Sequence, residues 1–390
     1  MEIRNLLPEE IDKSLDLSEY AFQYKLTEEA RNQRRDTYKL DCAWGVFEEG
    51  QMQAKLHLFP FQTYVQGKIY EMGGIAGVAT WPENRRKGHV RALINHALRV
   101  MNEKGQWLSL LHPFSIPFYR KFGWEVLTEV KRYTLYTAEF PEKKETEGVV
   151  RRDVQHVEHL DQVYQQFAQN YSGMLVRSES WWKDSVLDEE IHNAVYYSKE
   201  GHPEGYLLYK LENKELIADE FVFLHETART ALWTFLANHD SRVNKITVMN
   251  VPQDDIFPFL LANPKISQEI SPLFMARIVN VQQFVQQYPF VSVGQEVNLT
   301  IQIEDQTAAW NQGKWQLRVS AEGEGLLTPA ASSSGEPDIL LNINSLTALL
   351  IGYMRAEVLF RSGKLTGSEE AVQLIDKVLP HKPTAFLDYF

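Results

Sequence analysis

Five consecutive residues, Arg85-Arg86-Lys87-Gly88-His89, bring two guanidiniums, an ammonium, a glycine and an imidazole to one short stretch. An apolar run with strand character, Gly74-Ile75-Ala76-Gly77-Val78-Ala79-Thr80, leads into them through Trp81-Pro82-Glu83-Asn84. Apolar residues follow at Val90, Leu93, Ile94, Ala97, Leu98 and Met101, a spacing that predicts an amphipathic helix. The first N–H groups of a helix have no intrahelical partner and carry partial positive charge, so a basic loop at that end can help grip pyrophosphate oxygens. A side chain at position 88 would hold a ligand away from those backbone donors. From this loop alone, a solvated charge run before a core-facing helix reads the same way. Other phosphate loops fit worse: there is no G-x-x-x-x-G-K-[ST], and Gly73, Gly74 and Gly77 do not make G-x-G-x-x-G.

A second block follows. Gly105 ends the helix pattern, Trp107 to His112 reads as a buried strand, and Pro113-Phe114-Ser115-Ile116-Pro117 turns the chain into Phe118-Tyr119-Arg120-Lys121-Phe122-Gly123-Trp124. Together the blocks resemble the GNAT acetyltransferases, whose loop Arg/Gln-x-x-Gly-x-Gly/Ala is matched by Arg85-x-x-Gly88-x-Val90, with Val90 in place of the usual small residue. The family's Tyr-x-x-x-Gly-Phe is matched by the block starting at Tyr119. The resemblance implies an acetyl-CoA site: Val78, Ala79 and Thr80 toward pantetheine and acetyl group, and Arg85, Arg86, Lys87, Gly88 and His89 along the pyrophosphate. Ser115 helps hold the cofactor, and Tyr119 acts as general acid to the departing thiolate, a contribution of about a hundred to ten thousandfold.

Upstream of these blocks, Pro8 to Lys39 is polar and helix-prone. Period-two alternation then runs through Trp44 to Leu58, with turns at Glu48-Glu49-Gly50 and Gln66-Gly67. Glu142 to Glu147 is a polar connector. Beyond it the order repeats: strands at Val195–Tyr197, Gly205–Tyr209 and Leu216–Val222, a helix at Thr230–Asn238 and a strand at Lys245–Met249. There Leu224-His225-Glu226-Thr227-Ala228-Arg229 stands where the basic glycine loop would be. From Gln286 the pattern changes to an alternating strand Val297–Ile303, a turn between Trp310 and Trp315, a loop at 330–337, a strand Ile339–Ile343 and helices Ser345–Met354 and Ser368–Val378. The expected fold is α+β: tandem GNAT domains, each a mixed central sheet flanked by helices, followed by a sterol-carrier-protein-like α+β domain. Boundaries are expected at 1–145, 146–285 and 286–390.

That order resembles the Eis family of N-acetyltransferases over essentially the whole chain. The resemblance implies transfer from acetyl-CoA to a primary amine, of an aminoglycoside-like polyamine or of a lysine side chain, by a homo-hexamer. It also implies use of the C-terminal carboxylate, here that of Phe390. Three aromatics and a leucine in Phe386-Leu387-Asp388-Tyr389-Phe390 are unusual for a solvated tail, which supports docking. The last domain leaves a rival open, a non-catalytic lipid or small-ligand carrier, on fold analogy alone.

Composition sets further expectations. The 390 residues exceed one core. One cysteine, Cys42, allows no internal disulfide and reads as a buried hydrophobe in a reducing, cytoplasmic setting. Forty Lys+Arg against 52 Asp+Glu give a net charge of -12, which argues against nucleic acid and suits a cationic acceptor. No apolar run is long enough to span a bilayer, and the first residues do not open a signal peptide, so no membrane partner is expected. His57, His96 and His112 show no ligand spacing, so no metal is expected. Trp181, Trp182 and Trp233 read as core or interface aromatics.

Overall fold

The alternating N-terminal segment folds as an antiparallel meander of β1 (Glu2–Asn5), β2 (Ala43–Glu48), β3 (Gln51–Val65) and β4 (Lys68–Thr80) in a computed structural model that describes residues 1–188, 190–331 and 335–390. Glu49-Gly50 and Gln66-Gly67 join the strands with φ values of 51°, 72°, 50° and 85°, the positive-φ pair whose twist matches the flanking strands. The polar stretch between β1 and β2 forms α1 (Ile11–Phe22) and α2 (Glu28–Asp36), broken at Gln23 with φ 58°. The Thr27 hydroxyl accepts from the Ala30 N–H and so caps α2.

After β4 comes α3 (His89–Glu103), which lays Leu93, Ile94, Ala97, Leu98 and Met101 on the sheet. Gly105, at φ 74°, ends it, and β5 (Leu108–Leu111) returns parallel to β4. Only Met72 to Ile75 of β4 pair with β5, so residues 76–80 run on without it and the two strands part. A short α4 (Ile116–Arg120) and β6 (Glu125–Val126) follow.

The next segment holds β7 (Glu129–Tyr136), β8 (Val149–Arg152), α5 (Val157–Ala168), a single turn α6 (Glu179–Trp181), β9 (His192–Tyr197), β10 (Pro203–Glu212), β11 (Glu215–Phe223), α7 (Glu226–Ala237), β12 (Lys245–Pro252), α8 (Phe257–Leu260), β13 (Ser267–Pro272) and β14 (Met275–Ile278). Sheet membership is reciprocal: β14 lies between β5 and β6 in the first seven-stranded sheet, and β7 lies between β12 and β13 in the second. Strand pairing thus crosses the expected boundary at 145 in both directions, whereas the third sheet is built from strands that all follow 285. The polar connector 141–147 is irregular, as its composition implies.

The C-terminal segment opens with α9 (Val281–Gln287). A five-stranded sheet then forms from β15 (Val297–Glu304), β16 (Gly313–Val319), β17 (Gly325–Pro329), β18 (Ile339–Asn342) and β19 (Leu365–Gly367). It is covered by α10 (Ile343–Ile351), α11 (Ala356–Arg361) and α12 (Glu369–Val378). Ser332, Ser333 and Ser334 of the expected loop lie outside the described residues. The apolar cleft of this domain, among Val285, Ile301, Leu317, Leu341, Leu349 and Ile375, holds about 20 Å³. That is room for one water and far below the several hundred Å³ of a ligand pocket. The expected α+β architecture, two mixed sheets with helices and then a sterol-carrier-like domain, is the one observed.

Candidate active site

Three steps along β4 oppose two along β3 where Lys55 faces Ala79 and His57 faces Ala76, so β4 bulges at Gly77 and Val78. Gly77 has φ 55°, in the region that favours glycine. The strand ends at Thr80, whose Oγ1 is buried with no hydrogen-bond partner among the described residues. A 3-10 turn, Pro82–Asn84, leads to Arg86 at φ 64° and Gly88 at φ 89°. Gly88 is the N-cap of α3 and supplies no side-chain cap. A Cβ on Gly88 would meet nothing within 4 Å, so its backbone angle, and not crowding within the chain, selects glycine. The first intrahelical bond runs from the Ala92 N–H to the Gly88 carbonyl at 3.0 Å, leaving the N–H groups of His89, Val90 and Arg91 free of intrahelical partners.

Arg85, Arg86 and Lys87 are exposed, and Lys87 Nζ donates to Asn84 Oδ1 at 2.8 Å. His89 is only 3% exposed, yet neither ring nitrogen has a hydrogen-bond partner among the described residues. Such a buried polar group costs about 1–3 kcal/mol unless something satisfies it. Unsatisfied Thr80 and His89 beside an uncapped helix end and three basic side chains are the donor set that a pyrophosphate-bearing acyl carrier fits.

Ser115 is the N-cap of α4; its carbonyl accepts from the Phe118 and Tyr119 N–H groups, and its hydroxyl makes no cap bond. Tyr119 is 2% exposed, with Phe114, Phe118 and Trp124 edge-on around its ring at 5.2–6.5 Å. Burial raises its phenol well above the ordinary tyrosine value, so the hydroxyl keeps its proton at neutral pH. Gly123 has φ 91°, and a Cβ there would collide with the Arg277 guanidinium. That guanidinium donates to the Phe122 carbonyl and, at 2.6 Å, to Asp305 Oδ2, tying the tyrosine block to the third domain. Burial pushes the Cys42 thiol up to about 11, which leaves it protonated and unreactive.

The aromatic tail is docked. Lys382 N–H donates to Gln66 Oε1 at 2.9 Å, Ser172 N–H to the Pro383 carbonyl at 2.8 Å and Ala385 N–H to the Ser172 carbonyl at 3.1 Å. Asp388 is 3% exposed and accepts from Arg177 Nε at 2.9 Å, Trp181 Nε1 at 2.7 Å and the Tyr164 hydroxyl at 3.3 Å. Arg177 also holds Glu220 on β11 at 2.5 Å, and Glu220 accepts from the Tyr206 hydroxyl at 2.6 Å. The Phe390 ring rests 4.9 Å from that of Phe61 and 5.2 Å from that of Phe274. A Cβ on Gly74 would meet both Phe61 and Phe390, so the tail end lies on β4 just before it parts from β5.

The structure therefore brings Val78, Ala79, Thr80, Gly88 and His89 to one strand-to-helix junction and sets Phe390 beside the same strand. Sequence reading missed Arg177 and Glu220, which hold the tail. One signal pointed to them: Asp388 is the lone charge in an apolar run and needs a buried partner. A cavity of about 580 Å³ lies elsewhere, between residues 138–144 and α7, lined by Phe140, Glu226, Arg229 and Trp233. It touches neither β4 nor α3 and has no part in this site.

Residues 2–127 and 173–278 each match an acetyltransferase (GNAT) domain model, and 281–387 match a sterol carrier protein domain model. The N-acetyltransferase Eis of Mycobacterium tuberculosis (strain ATCC 25177 / H37Ra) is 25% identical over 76% of this chain and 75% of that protein. A probable N-acyltransferase from Enterococcus faecalis V583 superposes with a TM-score of 0.93 at 31% identity, over 100% of this chain and 99% of the other. Eis1 from Mycobacterium abscessus shares the fold, with a TM-score of 0.82 at 19% identity over the whole of both chains. With an uncapped helix end after a bulged strand, and these likenesses along the full chain, the protein belongs to the Eis-like GNAT N-acetyltransferases.

Proposed function

We propose that this enzyme moves an acetyl group from acetyl-CoA to a primary amine by direct attack in a ternary complex, the acceptor being an aminoglycoside-like polyamine or a lysine side chain. The observation that carries the reading is the open amino end of α3, with Thr80 Oγ1 and both His89 nitrogens unpartnered among the described residues. Backbone groups of Val78, Ala79 and Thr80 hold the pantetheine and acetyl end, Arg85, Arg86, Lys87, Gly88 and His89 the pyrophosphate, and Ser115 assists. The amine nitrogen attacks the acetyl carbon and the C–S bond breaks. Tyr119 gives its proton to the sulfur, and the Phe390 carboxylate takes the amine's proton directly or through water. The net charge of -12 suits a cationic acceptor. The division at 145 and 285, a cytoplasmic setting, and a homo-hexamer with interfaces on the second GNAT-like domain belong to the same proposal.

The test is thiol release from acetyl-CoA across a panel of primary amines. Turnover with at least one amine is expected, and none with any would overturn the reading. Adding residues after Phe390 keeps every side chain and moves only the terminal charge. It should damage the amine step while acetyl-CoA still binds; wild-type turnover in the extended protein would make the carboxylate a bystander.

A further inference from the structure

Odd-numbered residues of β3 face away from α3, on the side that receives the tail. Along that face the rings of His57 and Phe59 stack at 5.6 Å, Phe59 meets Phe61 at 6.0 Å, and Phe61 meets Phe390. His57 thus shares a continuous aromatic wall with the tail end. Its Nδ1 occupies the space that a side chain on Gly77 would need: a Cβ there would stand 2.9 Å from it. Nδ1 therefore sits against the bulge of β4, and it has no hydrogen-bond partner among the described residues.

The other nitrogen is held by a buried chain. His57 Nε2 lies 3.1 Å from the Tyr38 hydroxyl, which lies 2.6 Å from Ser14 Oγ. Lys55, 1% exposed, points its Nζ at Ser14 Oγ and the Ser14 carbonyl, both at 2.7 Å, and at Ser18 Oγ at 2.5 Å. Three acceptors match the three donors of an ammonium. An ammonium only donates, so the chain acquires a direction. Ser14 accepts from Lys55 and has its own hydrogen to give to Tyr38; with Tyr38 giving its hydrogen in turn to His57 Nε2, the remaining imidazole hydrogen is on Nδ1. A neutral lysine can accept from Ser14, which permits the opposite direction, with Nε2–H donating to Tyr38 and no hydrogen on Nδ1.

We propose that the Lys55–Ser14–Tyr38 chain fixes His57 as a neutral imidazole presenting its Nδ1–H to the acyl oxygen at the Gly77 bulge, where it stabilises the negative charge that develops as the amine attacks. This rests on the acetyl-CoA site proposed above. The ionisable groups facing the chain are few. Tyr38 and Arg34 come from the α2 side, Ser14 and Ser18 from α1, and the strand neighbours of His57 are Ala43 and Ala76. Burial, and secondarily Arg34, lower Lys55 to about 7; burial and then the Lys55 charge lower His57 to about 3, which keeps the ring neutral.

The test compares wild type with His57→Leu, His57→Asn and Tyr38→Phe, using acetyl-CoA and the fastest amine of the panel. Removing one such donor is expected to lower kcat by about a hundredfold in His57→Leu, with cofactor affinity unchanged, and by roughly tenfold in Tyr38→Phe. His57→Asn, which keeps an N–H near the Nδ1 position, should recover part of the loss. The ratio of wild-type to Tyr38→Phe rate should fall as pH rises through about 7, because deprotonated Lys55 no longer directs the chain; the ratio cancels the amine's own ionisation. The carbonyl stretch of bound, carbon-13-labelled acetyl-CoA should lie lower in wild type than in Tyr38→Phe. Unchanged kcat in His57→Leu, a rate ratio flat with pH, or an unmoved carbonyl frequency each overturns the proposal; should His57→Leu not fold, the Tyr38→Phe arms decide it. Failure of wild type to turn over any amine strikes the acetyl-transfer reading itself, whereas normal turnover with flat comparisons strikes only the role of His57.

Discussion

The amino ends of α3 and α7 follow matched strands, since β4 pairs in parallel with β5 and β11 with β12, each across an intervening helix. Yet one end is open and the other is closed by the protein itself. Gly88 gives α3 no side-chain cap. In α7 the cap is His225, whose Nδ1 accepts from the Ala228 N–H at 3.4 Å while its Nε2–H donates to Glu204 at 2.8 Å. Both strands bulge, β4 at Gly77–Val78 and β11 at Asp219. Beside the first bulge Thr80 Oγ1 lacks a partner among the described residues; beside the second, Glu220 accepts from Arg177 and Tyr206. One fold used twice therefore separates into a half with unmet polar groups, ready for a ligand, and a half that meets its own. What the second half gains is the tail: Arg177 bridges Glu220 to Asp388 and so ties the approach to Phe390.

The contrast can be broken most severely at the chemistry. Tyr119→Phe should lower kcat by about 10²–10⁴ while acetyl-CoA affinity holds; steady-state kinetics showing equal kcat would remove Tyr119 as the acid. On the anchoring side, Arg177→Met leaves Asp388 and Glu220 as buried carboxylates without their cation. A stability loss of about 3–5 kcal/mol in urea unfolding is expected, with impaired turnover on the amine, and a loss under ~1 kcal/mol would contradict the anchor. Arg86→Ala should weaken acetyl-CoA binding by about 1.5–3 kcal/mol in calorimetric titration without altering the fold. His225→Ala removes a cap of about 1 kcal/mol and should leave acetyl-CoA binding as it was, which thermal melts and titration check together.

Acid sharpens the picture of the first half. His57 is lowered to about 3 from an unfolded value near 6.5, so between these values the unfolded chain binds the proton that the native one refuses. Stability should decline as pH falls from 6.5 toward 3, and His57→Leu should decline less over that window. Parallel curves for the two proteins would show that His57 is free to take up its proton in the native state.

Much of the open site was legible because local patterns encode it. The helical spacing after Gly88, the two positive-φ turns and the polar connector each reflect one stretch of chain. The missing glycine loop before α7 was legible too, but not the imidazole that fills its place, since a histidine N-cap has no spacing signature. The exchange of β7 and β14 between sheets escaped because strand pairing across more than a hundred residues leaves no trace in alternation. Lys55 and His57 alternate with the apolar residues of β3, and their partners Ser14, Ser18 and Tyr38 come from α1 and the end of α2, which strand alternation does not encode. Arg177 stayed hidden for the same reason: its partners come from β11 and from the end of the chain.

The measurement that bears most directly on the comparison is acetyl-CoA titration of wild type, Gly88→Glu and His225→Ala by calorimetry. A side chain at Gly88 must adopt φ 89°, and a carboxylate there would oppose the phosphates, whereas the His225 side chain itself caps the amino end of α7. One site per chain is expected in wild type and His225→Ala, and none detectable in Gly88→Glu. Undiminished binding in folded Gly88→Glu, or a second site that appears or vanishes with His225, would contradict it.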